Sequence, residues 1–86
     1  MSSALLRTVP LQSSTLLNVA YHDRMSVLVL QFRNGARYRY QDVPNRIYRE
    51  LLDATSKGAF FNQHIRGFFA YVRLNQEPNK DLSETK

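Results

Sequence analysis

Cysteine is absent from the 86 residues, and with it go a disulfide framework, a thiolate zinc site and a cysteine nucleophile. A chain without thiols to pair fits a reducing compartment, so a cytoplasmic protein is expected. No apolar run approaches the length of a membrane span, and residues 1–6, MSSALL, lack the basic start and long apolar stretch of a secretory signal. A soluble protein with no membrane partner is the expectation. Catalytic signatures are missing too. GxGxxG and the P-loop do not occur, and the only histidines, His22 and His64, fit no metal spacing such as HExxH. Ser13, Ser14 or Ser56 could pair with a histidine, but no nucleophile elbow or carboxylate dyad accompanies them. No enzymatic activity, metal or cofactor is expected.

Acidic residues are the minority charge. Twelve Lys+Arg stand against seven Asp+Glu, a net of +5. The excess is uneven: from Asn75 on, Glu77, Asp81 and Glu84 outnumber Lys80 and Lys86, so the remainder carries +6. Nine of the twelve basic residues are arginines, the side chain best shaped for bidentate phosphate contacts. Such a balance favours an anionic partner, although surface solubility alone also accounts for it. A chain of this length holds one domain and buries only about two-thirds of its unfolded surface, so its core is small.

What is present is centred on residues 26–44, SVLVLQFRNGARYRYQDVP. Leu28, Leu30 and Phe32 alternate onto one face of a strand, and Ala36, Tyr38 and Tyr40 onto one face of the next. Asn34-Gly35 between them is a strong hairpin signal, because both residues tolerate positive φ. A two-residue loop would set Leu30 opposite Arg39 and Phe32 opposite Arg37, leaving each face half apolar and half cationic. A three-residue loop, Arg33-Asn34-Gly35 with Gly35 left-handed in a G1 bulge, pairs Leu30 with Tyr38 and Leu28 with Tyr40. It also turns Arg37, Arg39, Gln31 and Gln41 to the other face beside Val27 and Val29. Segregation of the faces selects the three-residue loop.

The rest of the chain is read in order around this hairpin. Residues 1–8 are expected to be flexible, residues 9–74 to form the single domain, and residues 75–86 to be a disordered polar tail. Val9-Pro10-Leu11 reads as an edge strand and Ser13-Ser14 as a turn. Leu17, Val19 and Tyr21 alternate through a strand from Leu16 to His22, which pairs Val19 with Leu28 and Leu17 with Leu30 across a four-residue loop, His22-Asp23-Arg24-Met25. Pro44 is placed at the first position of a helix carrying Ile47, Tyr48, Leu51, Leu52 and Thr55 on one side. Ser56 caps a second helix bearing Phe60, Phe61 and Ile65, and Gly67 ends it. Phe68 to Leu74 reads as a last strand. The fold class expected is α+β: an antiparallel meander of three to five strands with two short helices on one face.

The order of these signals resembles the KTSC domain. The resemblance rests on Ser13-Ser14, Val19-Ala20-Tyr21, the Leu-x-Leu-x-Phe strand, Asn34-Gly35, Tyr38-Arg39-Tyr40, Val43-Pro44, Ser56-Lys57-Gly58, Phe61-Asn62 and Ile65-Arg66. It runs from about Leu11 to Tyr71. The family takes its name from the C-terminus of some lysyl-tRNA synthetases and also occurs as small free-standing bacterial proteins. Ala20 stands where a glycine is expected and His22 where an aspartate is, both read as bearing on a turn. The resemblance implies RNA binding, by attachment to a tRNA-handling enzyme, and no catalytic activity.

Three sites compete for that role. Tyr38 and Tyr40 could be a base-stacking platform, but the register sets them beside Leu28 and Leu30, so they are read as core with their hydroxyls at the rim. Arg37 and Arg39, with Gln31, Gln41, Asn18 and His22, form a cationic sheet face that suits a nucleic acid as well as plain solvent. Ser56, Lys57 and Gly58 open a helix, where backbone amides can hold a phosphate or simply cap. Arg66 joins Arg37, Arg39, Ser56, Lys57 and Gly58 as an expected nucleic-acid contact. The expected function is binding of RNA, with tRNA the leading class, by a monomer or weak dimer. The alternative is a protein-interaction module that uses Val27 and Val29.

Overall fold

The computed structural model describes residues 8–74, and the expectations for residues 1–7 and 75–86 lie outside them. The elements are β1 (Thr8–Pro10), β2 (Leu16–His22), β3 (Val27–Phe32), β4 (Arg37–Tyr40), α1 (Asn45–Asp53), α2 (Lys57–His64) and β5 (Tyr71–Arg73). The five strands form one antiparallel sheet in chain order, β1-β2-β3-β4-β5. This is the expected α+β meander, extended to five strands. Thr8 belongs to β1, one residue inside the stretch expected to be flexible.

The β3–β4 hairpin has the segregated register. Leu28 faces Tyr40 and Leu30 faces Tyr38. Phe32 N–H donates to Ala36 O at 2.8 Å, Gly35 N–H donates to Phe32 O at 3.0 Å, and Gly35 has φ +96°. Asn34 Oδ1 accepts the Ala36 N–H at 2.9 Å, which closes the turn from inside.

The β2–β3 pairing differs from expectation. Val19 faces Leu30 and Tyr21 faces Leu28, so the loop is Asp23–Ser26, one residue later than expected. The faces are unchanged, because a slip of two residues keeps every side chain on its own side. Ser26 closes this loop with φ 55°, and its carbonyl accepts Val43 N–H at 2.8 Å. A second departure sits at the start of β2, where the register shifts between Leu16 and Asn18. Leu17 occupies the irregularity, and Leu16, fully buried, takes the inward position expected for Leu17.

Leu28, Leu30, Val19 and Tyr40 supply the sheet side of the core, and Ile47, Leu51, Phe61 and Ile65 the helix side. Pro44 is the N-cap of α1 and not its first helical residue, with an extended ψ of 150°. Thr55 lies beyond the end of that helix and is exposed. Tyr21 ties the layers together: its ring stacks on Tyr48 at 4.8 Å, and its hydroxyl donates to Val43 O at 2.6 Å. Ser56 Oγ accepts Ala59 N–H at 3.3 Å as the N-cap of α2, and Gly67 turns the chain away with φ +83°. The last strand is shorter than Phe68–Leu74, because Phe68 N–H folds back onto Ile65 O at 3.0 Å in the turn that follows α2. No helix among the described residues is long and apolar enough to cross a membrane.

Candidate nucleic-acid interface

The register builds the helix-free face of the sheet row by row. One row runs Asn18–Gln31–Arg37, and the next runs Thr8–Ala20–Val29–Arg39–Val72. Arg37 and Arg39 are two residues apart on one strand, so their Cα atoms stand about 7 Å apart. Both are exposed. They line a groove of about 860 Å³ together with Asn18, His22, Gln31, Gln41, Val27 and Val29. The Asn18 amide donates to Gln31 Oε1 at 3.3 Å, which fixes two of the amides toward each other. Asp42 is the one carboxylate of the groove lining among the described residues. The groove is thus a hydrogen-bonding surface with a cationic wall and an apolar strip, Val27 and Val29, along its floor.

His22 and Ala20, the two departures from the family pattern, fall in this region. His22 does bear on a turn, since its Nδ1 accepts Met25 N–H at 3.4 Å. Ala20 does not; it is buried in the middle of β2, paired with Thr8 and Val29.

The other expected contacts lie elsewhere. Ser56, Lys57 and Gly58 line a separate crevice against the Ser13-Ser14 turn. There Lys57 Nζ donates to Ala54 O at 2.8 Å, placing its ammonium on the C-terminal carbonyls of α1, where the helix dipole favours a cation. A Cβ on Gly58 would stand 3.0 Å from Thr15 Oγ1, so this glycine lets α2 approach the start of β2. Both residues therefore have structural tasks of their own.

Arg66 lies in a third cleft, of about 290 Å³, with Phe32, Tyr38, Tyr40, Phe61 and Tyr71 around it. Tyr40 and Phe61 are buried, Tyr38 is half-buried, and Tyr71 is 59% exposed. The core reading therefore holds fully for Tyr40 and only partly for Tyr38. The rings meet edge to face: Phe32 with Tyr38 at 5.7 Å, Phe32 with Phe61 at 5.2 Å, and Tyr38 with Tyr71 at 5.5 Å. Burial, with Tyr38 and Tyr71 nearby, pushes the Tyr40 phenol up to about 12, against the opposing pull of Arg66. Tyr71 and Phe61 escaped the sequence reading as site residues. The aromatic content of Phe68–Leu74 was the available signal, but only the pairing of Tyr71 with Tyr40 shows where those rings land.

Comparison with known proteins agrees with this architecture. The family model for the KTSC domain matches residues 12–69. A protein of Stutzerimonas stutzeri described as uncharacterized is 41% identical over 71 residues, covering 81% of this chain and 100% of that protein. A lysine–tRNA ligase of Nostoc punctiforme is 31% identical over 64 residues, which are 74% of this chain but 11% of the ligase. The crystal structure of a KTSC domain protein from Yersinia pestis superposes with a TM-score of 0.79 at 33% identity, covering 81% of this chain and 99% of that one. The chain belongs to the KTSC domain family.

Proposed function

We propose that this domain is a non-catalytic RNA-binding module, with tRNA the leading class of partner, acting as a monomer or weak dimer. The observation that carries the reading is the groove on the helix-free face, where Arg37 and Arg39 stand over a row of amides. Alternation along one strand holds the two guanidinium groups on the same side, which suits successive phosphates of a single strand. The net charge of the region before Asn75, +6, adds long-range attraction for a polyanion. Similarity to a segment of a lysine–tRNA ligase supports tRNA as the class, since a domain attached to such an enzyme sits beside that substrate.

The Ser56-Lys57-Gly58 turn has a lesser share. A phosphate there must draw Lys57 from Ala54 O, exchanging one charge-assisted bond for another. Arg66 contributes from the opposite side of the sheet.

Salt dependence tests the reading. Affinity for tRNA or single-stranded RNA should fall as salt rises, with a log–log slope of about 0.7 per phosphate neutralised. Replacing Arg37 and Arg39 together by Gln should lower the slope by about one to one and a half while the domain stays folded. Lys57→Gln should lower it by less than one unit. The apolar strip of Val27 and Val29, extended by Met25 at 65% exposed, favours a second reading, a protein-interaction surface. Binding that ignores salt and is lost on Val29→Ser would select it.

A further inference from the structure

The helices do not cover the whole of the face they pack on. They close over Leu28, Leu30 and Tyr40, but toward the β4–β5 end the rings of Phe32, Tyr38 and Tyr71 border an open cleft with Tyr40 and Phe61 buried beneath. A small domain has every reason to bury its aromatic residues, yet here Tyr71 remains 59% exposed beside Tyr38. The cleft, about 290 Å³ and open to solvent on one side, has room for a single flat ring system. Its one charged lining residue among those described is a cation, and a second cation stands close by. Arg66 lines it, held by Asn62 Oδ1 at 3.4 Å, and the Arg73 guanidinium lies over the Tyr38 ring at 5.9 Å. No carboxylate of the described residues borders it.

We infer that this cleft receives one unstacked nucleobase, stacked on the exposed ring of Tyr71, which Tyr38 supports edge to face, with Arg66 beside it. The inference rests on the RNA-binding reading and deepens it by assigning the base contact. A ring with a phosphate behind it is what an aromatic cleft with a cationic border recognises; an aromatic side chain of a protein partner carries no such charge. The position in the sheet supports this. Tyr38 and Tyr40 alternate with Arg37 and Arg39 on β4, and only β5, a three-residue edge strand, lies between that strand and solvent. A single RNA strand rounding this edge lays its phosphates against the arginines on one face and turns a base into the cleft on the other. Duplex RNA, its bases stacked, cannot make the second contact.

The test uses a short single-stranded RNA carrying 2-aminopurine, and an abasic oligomer of equal charge, with the full chain. Stacking in the cleft should quench the 2-aminopurine. Tyr71→Ala, at an exposed position, should weaken binding of the base-bearing oligomer by about five- to a hundredfold, the usual loss of one base stack. It should leave the salt slope and binding of the abasic oligomer unchanged, and Tyr71→Phe should restore wild-type affinity. If Tyr71→Ala and Arg66→Gln change neither affinity nor quenching while Arg37/Arg39→Gln still lowers the salt slope, the cleft inference and the Arg66 contact fail, and RNA binding by the helix-free face stands. Saturable binding of free indole at this cleft with no response to 2-aminopurine RNA would assign it to a protein's aromatic side chain and overturn the inference. No binding of either oligomer at low salt would remove both.

Discussion

Two glycines in this domain should fail on substitution by alanine for different reasons, and the difference can be measured. Gly35 has φ +96°, and a Cβ added there would meet nothing within 4 Å. The cost of Gly35→Ala is therefore purely conformational. Left-handed backbone costs an L-residue about 1–2 kcal/mol. The stiffer unfolded chain returns about 0.4–1 kcal/mol. A net loss of about 1 kcal/mol follows, or roughly 4–8 °C in melting temperature for a domain of this size. Gly58 is the second residue of α2, where helix propensity alone would make alanine better by at most about 0.8 kcal/mol, the value of a helix interior. Its Cβ, however, would stand 3.0 Å from Thr15 Oγ1 and 3.3 Å from Thr15 Cβ. Thr15 is tied at its amide to Ser13 Oγ and at its carbonyl to Arg33 N–H, so it cannot draw back freely, and overpacking of about 1–3 kcal/mol should outweigh the propensity gain. Urea denaturation followed by circular dichroism gives both values. Thr15→Ala removes the nearer clash atom. In that background Gly58→Ala should lose most of its cost, a coupling of about 1 kcal/mol, whereas Gly35→Ala should cost what it did before. Gly35→Asn should cost less than Gly35→Ala, since asparagine tolerates the left-handed region. An unchanged Gly58→Ala cost in the Thr15→Ala background would refute the packing of α2 on the start of β2. Equal costs for Gly35→Asn and Gly35→Ala would refute the three-residue turn.

Two further predictions concern tyrosines. Tyr21→Phe keeps the stack on Tyr48 but deletes the 2.6 Å hydroxyl bond to Val43 O, so it should destabilise by about 1–2 kcal/mol in the same urea assay. The Tyr40 phenol is raised from 10.0 to about 12 in the folded state, chiefly by burial. The folded chain thus holds this proton more tightly than the unfolded chain. Its contribution is complete below about pH 10 and is lost as pH rises from 10 toward 12. Tyr40→Phe should remove that component of the alkaline loss of stability, measured by urea titration across the interval.

The parts of the fold that local chemistry determines were legible in the sequence. Face matching across Asn34-Gly35 selects the β3–β4 register because the rejected alternative sets arginines opposite Leu30 and Phe32. Ser56 marks the start of α2 and Gly67 the turn two residues past its C-cap, Ile65, because a cap side chain and a left-handed residue have few substitutes. The β2–β3 register was not legible, since pairings that differ by a slip of two bury the same side chains. Choosing between them depends on Ser26 adopting φ 55°, which its side chain does not announce. Leu16 and Leu17 are equally apolar, so hydrophobic pattern cannot say which one points inward and which takes the irregularity. The arginine face followed from strand alternation alone. The aromatic cleft did not, because it needs β5 to land beside β4 across a connection that contains both helices.

If the helix-free face of the sheet binds RNA, a chemical-shift titration of the isotope-labelled chain with bulk tRNA at low salt will show it residue by residue. The Arg37 and Arg39 amides and the Asn18, Gln31 and Gln41 side-chain amides should shift progressively, with the effect fading as salt is raised. No perturbation should occur along the outer side of α1, at Arg46, Arg49 and Glu50. Perturbations confined to that outer side, or no perturbation at all, would contradict RNA binding by the helix-free face.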